Sequence, residues 1–346
     1  MKAVDPSGHR VVLSPSDGRA EVRSLLDDQR VKVVQFFEPV PDKLLDRLNE
    51  EFFSRRPEVE LRVYGFYQHE CNLGFCSRMS NVERFRADCL LKAVGVENVT
   101  KMPRLTLLGI GIESLESFSF LNDVPSTITS LWLLDTHSKK PDLAPLSRFK
   151  NLRVLSLASQ QKSIEAICGL EELETIWFWG LSLKSVEFLK TLPSLRDLSF
   201  SLGGTRNLAG LAELKSLRSL ELCWVRGLVD VSAVGEMTGL EDLALDRLAQ
   251  VESLPKLSKL TKLRKLRINS VKKLVDVSEL VNAPELEILI HTAAMTEPED
   301  YLPVLRKGQL KHAGVWFASR AKDKRFEKYA LEFGMSKGST GYAPRV

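Results

Sequence analysis

The stretch Leu217–Leu245, LRSLELCWVRGLVDVSAVGEMTGLEDLAL, contains one phrase twice. Leu-x-x-Leu-x-Leu falls on Leu217, Leu220 and Leu222, and again on Leu240, Leu243 and Leu245. Side chains of a strand alternate between its faces, so Leu220 and Leu222 share one face while Glu221 and Cys223 take the other. Between the two phrases, Leu228, Val231, Val234 and Met237 form a second apolar set on a short helical or irregular return segment. One such coil cannot bury its own apolar side, whereas stacked coils form a continuous core.

Working outward, the phrase recurs as LRVLSL from Leu152, LETIWF from Leu173, LRDLSF from Leu195 and LRKLRI from Leu263. Its fourth position steps through Leu155, Ile176, Leu198, Leu220, Leu243 and Leu266, at intervals of 21, 22, 22, 23 and 23 residues. Looser copies follow as LEILIH from Leu286 and LKHAGV from Leu310. Others precede as ITSLWL from Ile128, LTLLGI from Leu105, VERFRA from Val82, EVELRV ending at Val63, and VKVVQFF at Val31–Phe37. A helical-repeat array would need two helices per repeat and a period of about 33 or more. The return segment LVDVSELVNAP repeats the second apolar set at Leu274, Val277, Leu280 and Val281.

The chain resembles the leucine-rich-repeat family, in its short bacterial repeats of internalin type, over roughly residues 58–316. The resemblance implies an α/β leucine-rich-repeat solenoid of about twelve repeats, right-handed and curved, with a parallel sheet on the concave face. It also implies protein binding on that face. One departure stands out. The family places Asn or Cys three residues after Leu-x-Leu, in a ladder of backbone hydrogen bonds. Here that position holds Gln160, Leu181, Gly203, Val225, Leu248 and Val271, so apolar residues mostly replace the ladder.

Residues 1–30 do not match the repeat and are expected to cap it, with a short helix in EVRSLLDDQ from Glu21. The solenoid is expected over 31–316. Residues 317–346 are expected to hold a C-terminal cap helix and a flexible tail, SKGSTGYAPRV. Phe326, Tyr329, Ala330 and Phe333 make the apolar stripe of that helix.

The concave face is defined by the residues beside the core leucines. Four of the five tryptophans, Trp132, Trp177, Trp179 and Trp316, fall on outward positions, and Trp224 lies one residue beyond. Chance gives four of four about once in sixteen. Indole is also the side chain most enriched in binding hot spots. The expected partner contact comprises Trp132, Trp177, Trp179, Asp197, Glu221, Trp224, Asp246, Arg267 and Trp316. Its centre is Trp177 and Trp179. Charge along the face runs from basic (Arg62, Arg84, Arg86) through acidic (Asp197, Glu221, Asp242, Asp246) to basic (Lys265, Arg267).

No catalytic role is expected. Neither G-x-x-x-x-G-K-[ST] nor G-x-G-x-x-G occurs, and neither does H-E-x-x-H. No cofactor is expected. His69, Cys71, Cys76 and Cys89 suit zinc chemically, but their spacing is not a standard zinc pattern. They are expected to be reduced packing groups, with Cys89 near the core. A net charge of +4 from 49 basic and 45 acidic side chains gives no reason to expect nucleic acid. No apolar run is long enough for a bilayer, and MKAVDPSGHR has no apolar signal region. A cytoplasmic protein-binding module is expected, such as an immunity protein that blocks a toxin. The alternative is a secreted effector that binds a host protein.

Overall fold

The computed structural model describes residues 2–3 and 8–335. The proposed tail from Ser336 lies outside the described residues. The chain divides into two compact units, Met1–Leu173 and Glu174–Val346.

The first unit contains β1 (Lys2–Ala3), β2 (Arg10–Val12), β3 (Val33–Phe36), β4 (Glu60–Tyr64) and β5 (Cys71–Asn72). It continues with β6 (Arg84–Leu90), β7 (Ala93–Val94), β8 (Leu107–Ile112), β9 (Ser130–Leu133) and β10 (Val154–Ala158). Two α-helices, α1 (Arg19–Asp27) and α2 (Asp42–Arg47), lie near its start. Its main sheet runs β1-β2-β3-β4-β6-β8-β9-β10, parallel except for β1, while β5 and β7 make a separate parallel ribbon. Residues 1–30 were expected to stand outside the repeat. Instead β2 pairs in parallel with β3, Arg10 opposite Val33, so the sheet extends into the segment assigned to the cap. Val11 and Leu13 are buried with it. This first coil lacks the leucine phrase: β1 pairs antiparallel on its outer side, and α1 buries Val22 and Leu25.

The second unit contains β11 (Thr175–Trp179), β12 (Asp197–Ser201), β13 (Ser219–Cys223), β14 (Asp242–Asp246), β15 (Lys265–Asn269), β16 (Ile288–Ala294) and β17 (His312–Phe317). Its helices are α3 (Leu302–Arg306) and α4 (Arg320–Glu332). All seven strands are parallel neighbours in chain order. The first core column, from Ile176 through Leu198, Leu220, Leu243 and Leu266 to Leu289, is in register and buried throughout.

Most return segments between the leucine phrases are short 3-10 helices rather than α-helices, for example Glu187–Thr191, Ala209–Glu213 and Ser232–Glu236. A short polar side chain opens several of them. Asp230 Oδ1 accepts from the Ser232 amide at 2.7 Å, Asp276 Oδ1 from the Ser278 amide at 2.8 Å, and Asn207 Oδ1 from the Ala209 amide at 3.0 Å. Such turns offer the backbone an early partner and favour tight coils over longer helices. Of the second apolar set, Leu228, Val231, Val234 and Met237 are buried. In the later copy Ala283, not Val281, is the buried residue, because the 3-10 helix Ser278–Asn282 turns Val281 partly outward.

Where the asparagine ladder is missing, Leu181, Val225, Leu248 and Val271 fill the space and are buried. Two polar residues keep fragments of it. Gln160 Nε2 donates to the Leu134 carbonyl at 3.1 Å, and Thr205 Oγ1 donates to the Leu181 carbonyl at 3.2 Å. Gly203 lies in the same bend with φ of 71°, and a Cβ there would stand 2.1 Å from the Leu181 oxygen. Only glycine fits both the conformation and the space.

At the C-terminal end α4 is capped by Ser319, whose Oγ accepts from the Lys322 amide, and it buries Phe326 and Ala330. Tyr329 and Phe333 are only half-buried. Phe326 meets the rings of Tyr301 and Phe317 edge-on or tilted, which anchors the helix to β17 and the coil before it.

Candidate functional site

In the second unit, the outward positions form two columns across adjacent strands. The first runs Trp177, Ser199, Glu221, Ala244, Arg267, Ile290 and Gly314, each opposite the next. The second runs Trp179, Ser201, Cys223, Asp246, Asn269 and Thr292. A bulge in β16 between His291 and Ala294 then breaks the register, so Trp316 does not continue this column. Its indole folds back over Gly314, where a Cβ would lie 2.5 Å from the ring.

A third column follows each strand, and the leucine spacing does not announce it. Gly180, Leu202, Trp224, Arg247 and Ser270 all have positive φ. The first four donate their amides to the last residue of the next strand: Gly180 to Ser201 at 2.8 Å, Leu202 to Cys223 at 2.8 Å, Trp224 to Asp246 at 2.8 Å and Arg247 to Asn269 at 2.7 Å; Ser270 donates to Thr292, within β16, at 3.0 Å. Four of the five are not glycine, although the left-handed region favours it. The backbone turn holds them there and leaves their side chains at the rim.

The large exposed apolar side chains on β11–β13 and their rim are Trp177 (36% exposed), Trp179 (48%), Leu202 (43%) and Trp224 (50%). Leu202 escaped the sequence reading because it stands outside the leucine phrase, at a position that only the backbone turn exposes. The rings of Trp177 and Trp179 border a strip of small residues, Ser199 and Ser201, directly across on β12. Glu221 stands beyond Ser199.

The acidic residues of this face differ in state. Asp246 is committed: it accepts from Asn269 Nδ2 at 2.6 Å and Cys223 Sγ at 3.2 Å, and pairs with Arg247 at 3.0 Å. Burial, and then this bond to Asp246, pushes the Cys223 thiol up to about 12. Asp242 is shared between Arg267 at 3.1 Å and Lys265 at 3.5 Å, so the expected basic end is paired to its acidic neighbour. Arg247 also lies over the Trp224 ring, 5.2 Å from its centre. Glu221 makes no ion pair among the described residues. Asp197 opens β12 beside Thr175, in the column that precedes the first core residues.

The first unit corrects the expected basic stretch. Arg62 and Asp88 form a buried two-pronged ion pair at 2.7 and 2.8 Å, and Arg86 pairs with Glu60 at 2.6 Å. The carboxylates sit one strand away on the same face, so Arg62 and Arg86 are neutralised locally. Arg62 also covers the Tyr64 ring, and Arg86 covers Trp132, which is half-buried with its Nε1 donating to Ser130 Oγ at 3.1 Å.

Of the four candidate metal ligands, Cys71 and Cys76 are buried while His69 and Cys89 are exposed. Cys89 was expected near the core. Its φ of 55° in the bulge between Ala87 and Leu90 turns it out instead. Among the described residues, no group of three or more His, Cys, Asp or Glu is arranged to hold a metal.

The strands, 3-10 returns and registers define the leucine-rich-repeat fold, α/β in class, and solved structures share it. An internalin from Listeria monocytogenes is 16% identical, with a TM-score of 0.53, over 89% of this chain and 91% of that one. A leucine-rich-repeat protein from Leptospira interrogans is 15% identical, also with a TM-score of 0.53, over 94% of this chain and 100% of that one. These likenesses are of fold. No family model and no curated protein matches the sequence.

Proposed function

We propose that this chain is a non-enzymatic protein-binding module whose contact is centred on β11–β13. The observation that carries the reading is the grouping of Trp177, Trp179, Leu202 and Trp224, all exposed, on three successive strands and their rim. Large apolar side chains left in water on rigid strands are the usual anchors of a protein interface. The serine strip gives a partner room beside the rings, and Glu221 supplies a polar rim. Asp197, Asp246 and Arg267 flank the contact in this proposal, while Trp316, folded onto Gly314, stands at its margin; Trp132 belongs to the first unit, where Arg86 covers it. The concave face of a repeat protein is the surface such a partner would occupy.

An immunity protein covering a toxin and an effector capturing a host protein would both use such a face; the captured protein separates them. No helix among the described residues is long and apolar enough to cross a membrane. The test is affinity capture from cell extract with the wild-type chain and with a Trp177→Ala/Trp179→Ala variant of unchanged melting temperature. A protein retained by the first and lost by the second supports the reading. Equal retention by both removes it.

A further inference from the structure

We infer that the trough over Ser199 receives an arginine side chain from the partner, its guanidinium between the Trp177 indole and the Glu221 carboxylate. This rests on the protein-binding reading and narrows it to one recognition element.

The first unit already contains the complete arrangement. Arg86, Gly109 and Trp132 lie opposite one another on β6, β8 and β9. The Arg86 stem crosses the bare backbone of Gly109, where a Cβ would stand 2.8 Å from its Cγ. Its guanidinium reaches 4.7 Å from the Trp132 ring centre and is held on the other side by Glu60, at 2.6 Å from Nη2 and 3.0 Å from Nε. Carboxylate, guanidinium and indole thus come together beside a residue with no side chain, the carboxylate reaching in from two residues earlier on β4.

In the second unit two of the three parts recur around a small residue. Trp177, Ser199 and Glu221 lie opposite one another on β11, β12 and β13. Two strand spacings, about 10 Å, separate the strands that carry the indole and the carboxylate. The three strands contain no lysine or arginine, so their only formal charges are those of Asp197 and Glu221. Asp246 and Asp242 have guanidinium partners from the chain itself, and Glu221 has none among the described residues. A planar guanidinium stacks on indole and bonds a carboxylate through its edge at the same time, which an ammonium does less well. Trp179, Leu202 and Trp224 then offer apolar contact to the residues flanking that arginine.

The probe is the capped peptide acetyl-Leu-Arg-Leu-amide, with lysine and citrulline in place of arginine as controls. Binding to the full chain is read from the indole N–H signals of Trp177 and Trp179. The arginine peptide is expected to shift both saturably and to bind about tenfold more tightly than the citrulline peptide. Lysine should fall between them. Glu221→Gln should weaken the arginine peptide about fivefold and leave the citrulline peptide unchanged. Equal binding of arginine and citrulline peptides, no shift of either indole, or an arginine affinity indifferent to Glu221→Gln would overturn the inference. If it fails while protein capture still depends on Trp177 and Trp179, only the arginine subsite is lost. If capture is indifferent to both tryptophans, the binding reading itself has failed.

Discussion

The hydroxyl of Tyr301 and Nδ1 of His291 lie 2.7 Å apart in the interior of the second unit. His291 occupies a core position on β16, opposite Ile268 and Val315, where its neighbours are aliphatic. The Tyr301 hydroxyl also meets Thr296 Oγ1 at 2.9 Å, while His291 Nε2 is buried with no partner among the described residues.

Burial lowers the His291 pKa from 6.5 to about 4. The unfolded chain therefore binds this proton more readily than the folded one. Stability from the buried neutral ring is complete above about pH 6.5 and declines as pH falls toward 4, by about 3 kcal/mol in all. Denaturant titrations at pH 7.5 and pH 4.5 should show this loss in the wild type. His291→Leu should remove that part of the slope, and an identical pH dependence in both proteins would refute the assignment.

Gly203→Ala should destabilise the second unit by about 2 kcal/mol or more, since both the positive φ and the Leu181 carbonyl oppose a methyl group. Gly169→Ala provides the control. It shares a positive φ of 77° but has nothing within 4 Å of its Cβ position, so its cost should be the smaller. Thermal unfolding of the two variants ranks them.

Truncation of the tryptophans should separate binding from stability. Trp177→Ala and Trp179→Ala are expected to weaken the captured partner by about 2 kcal/mol or more with little change in melting temperature. Trp132→Ala, which strips the ring from beneath Arg86, should lower the melting temperature first. Calorimetric titration beside thermal unfolding reads both effects, and the reverse pattern would contradict the placement of the contact.

The pair Arg62–Asp88 is buried on both sides, so removing one member leaves a charge without its partner. Asp88→Asn should cost about 3 kcal/mol. Arg62→Met combined with Asp88→Leu should recover most of that loss. A double variant no more stable than Asp88→Asn would show that shape, rather than charge, governs the site.

Much of the face was legible in the sequence because strand periodicity is strict. Once Leu220 and Leu222 point inward, Glu221 and Cys223 must point outward, and the same logic puts Trp177, Ser199 and Glu221 in one outward column. What the leucines could not convey is where long side chains travel. Arg62 and Arg86 looked like a basic patch until their lengths carried them to Asp88 and Glu60 on neighbouring strands. Leu202 was hidden for another reason, since its exposure follows from a left-handed backbone that leucine does not advertise. Strand β2 is not legible because its buried residues, Val11 and Leu13, do not carry the leucine phrase.

The recurring bend after each strand has a consequence for lineage and for engineering. Leu202 and Trp224 share one backbone conformation and one amide link to the following strand, so the join between coils is independent of the side chain it carries. Deleting 203–224 would bring Leu202 against Val225 with both severed ends already in matching geometry. A chain with such interchangeable seams can gain or lose whole coils by unequal recombination while its remaining turns keep their shape, so the width of its exposed strand face is open to change independently of its fold.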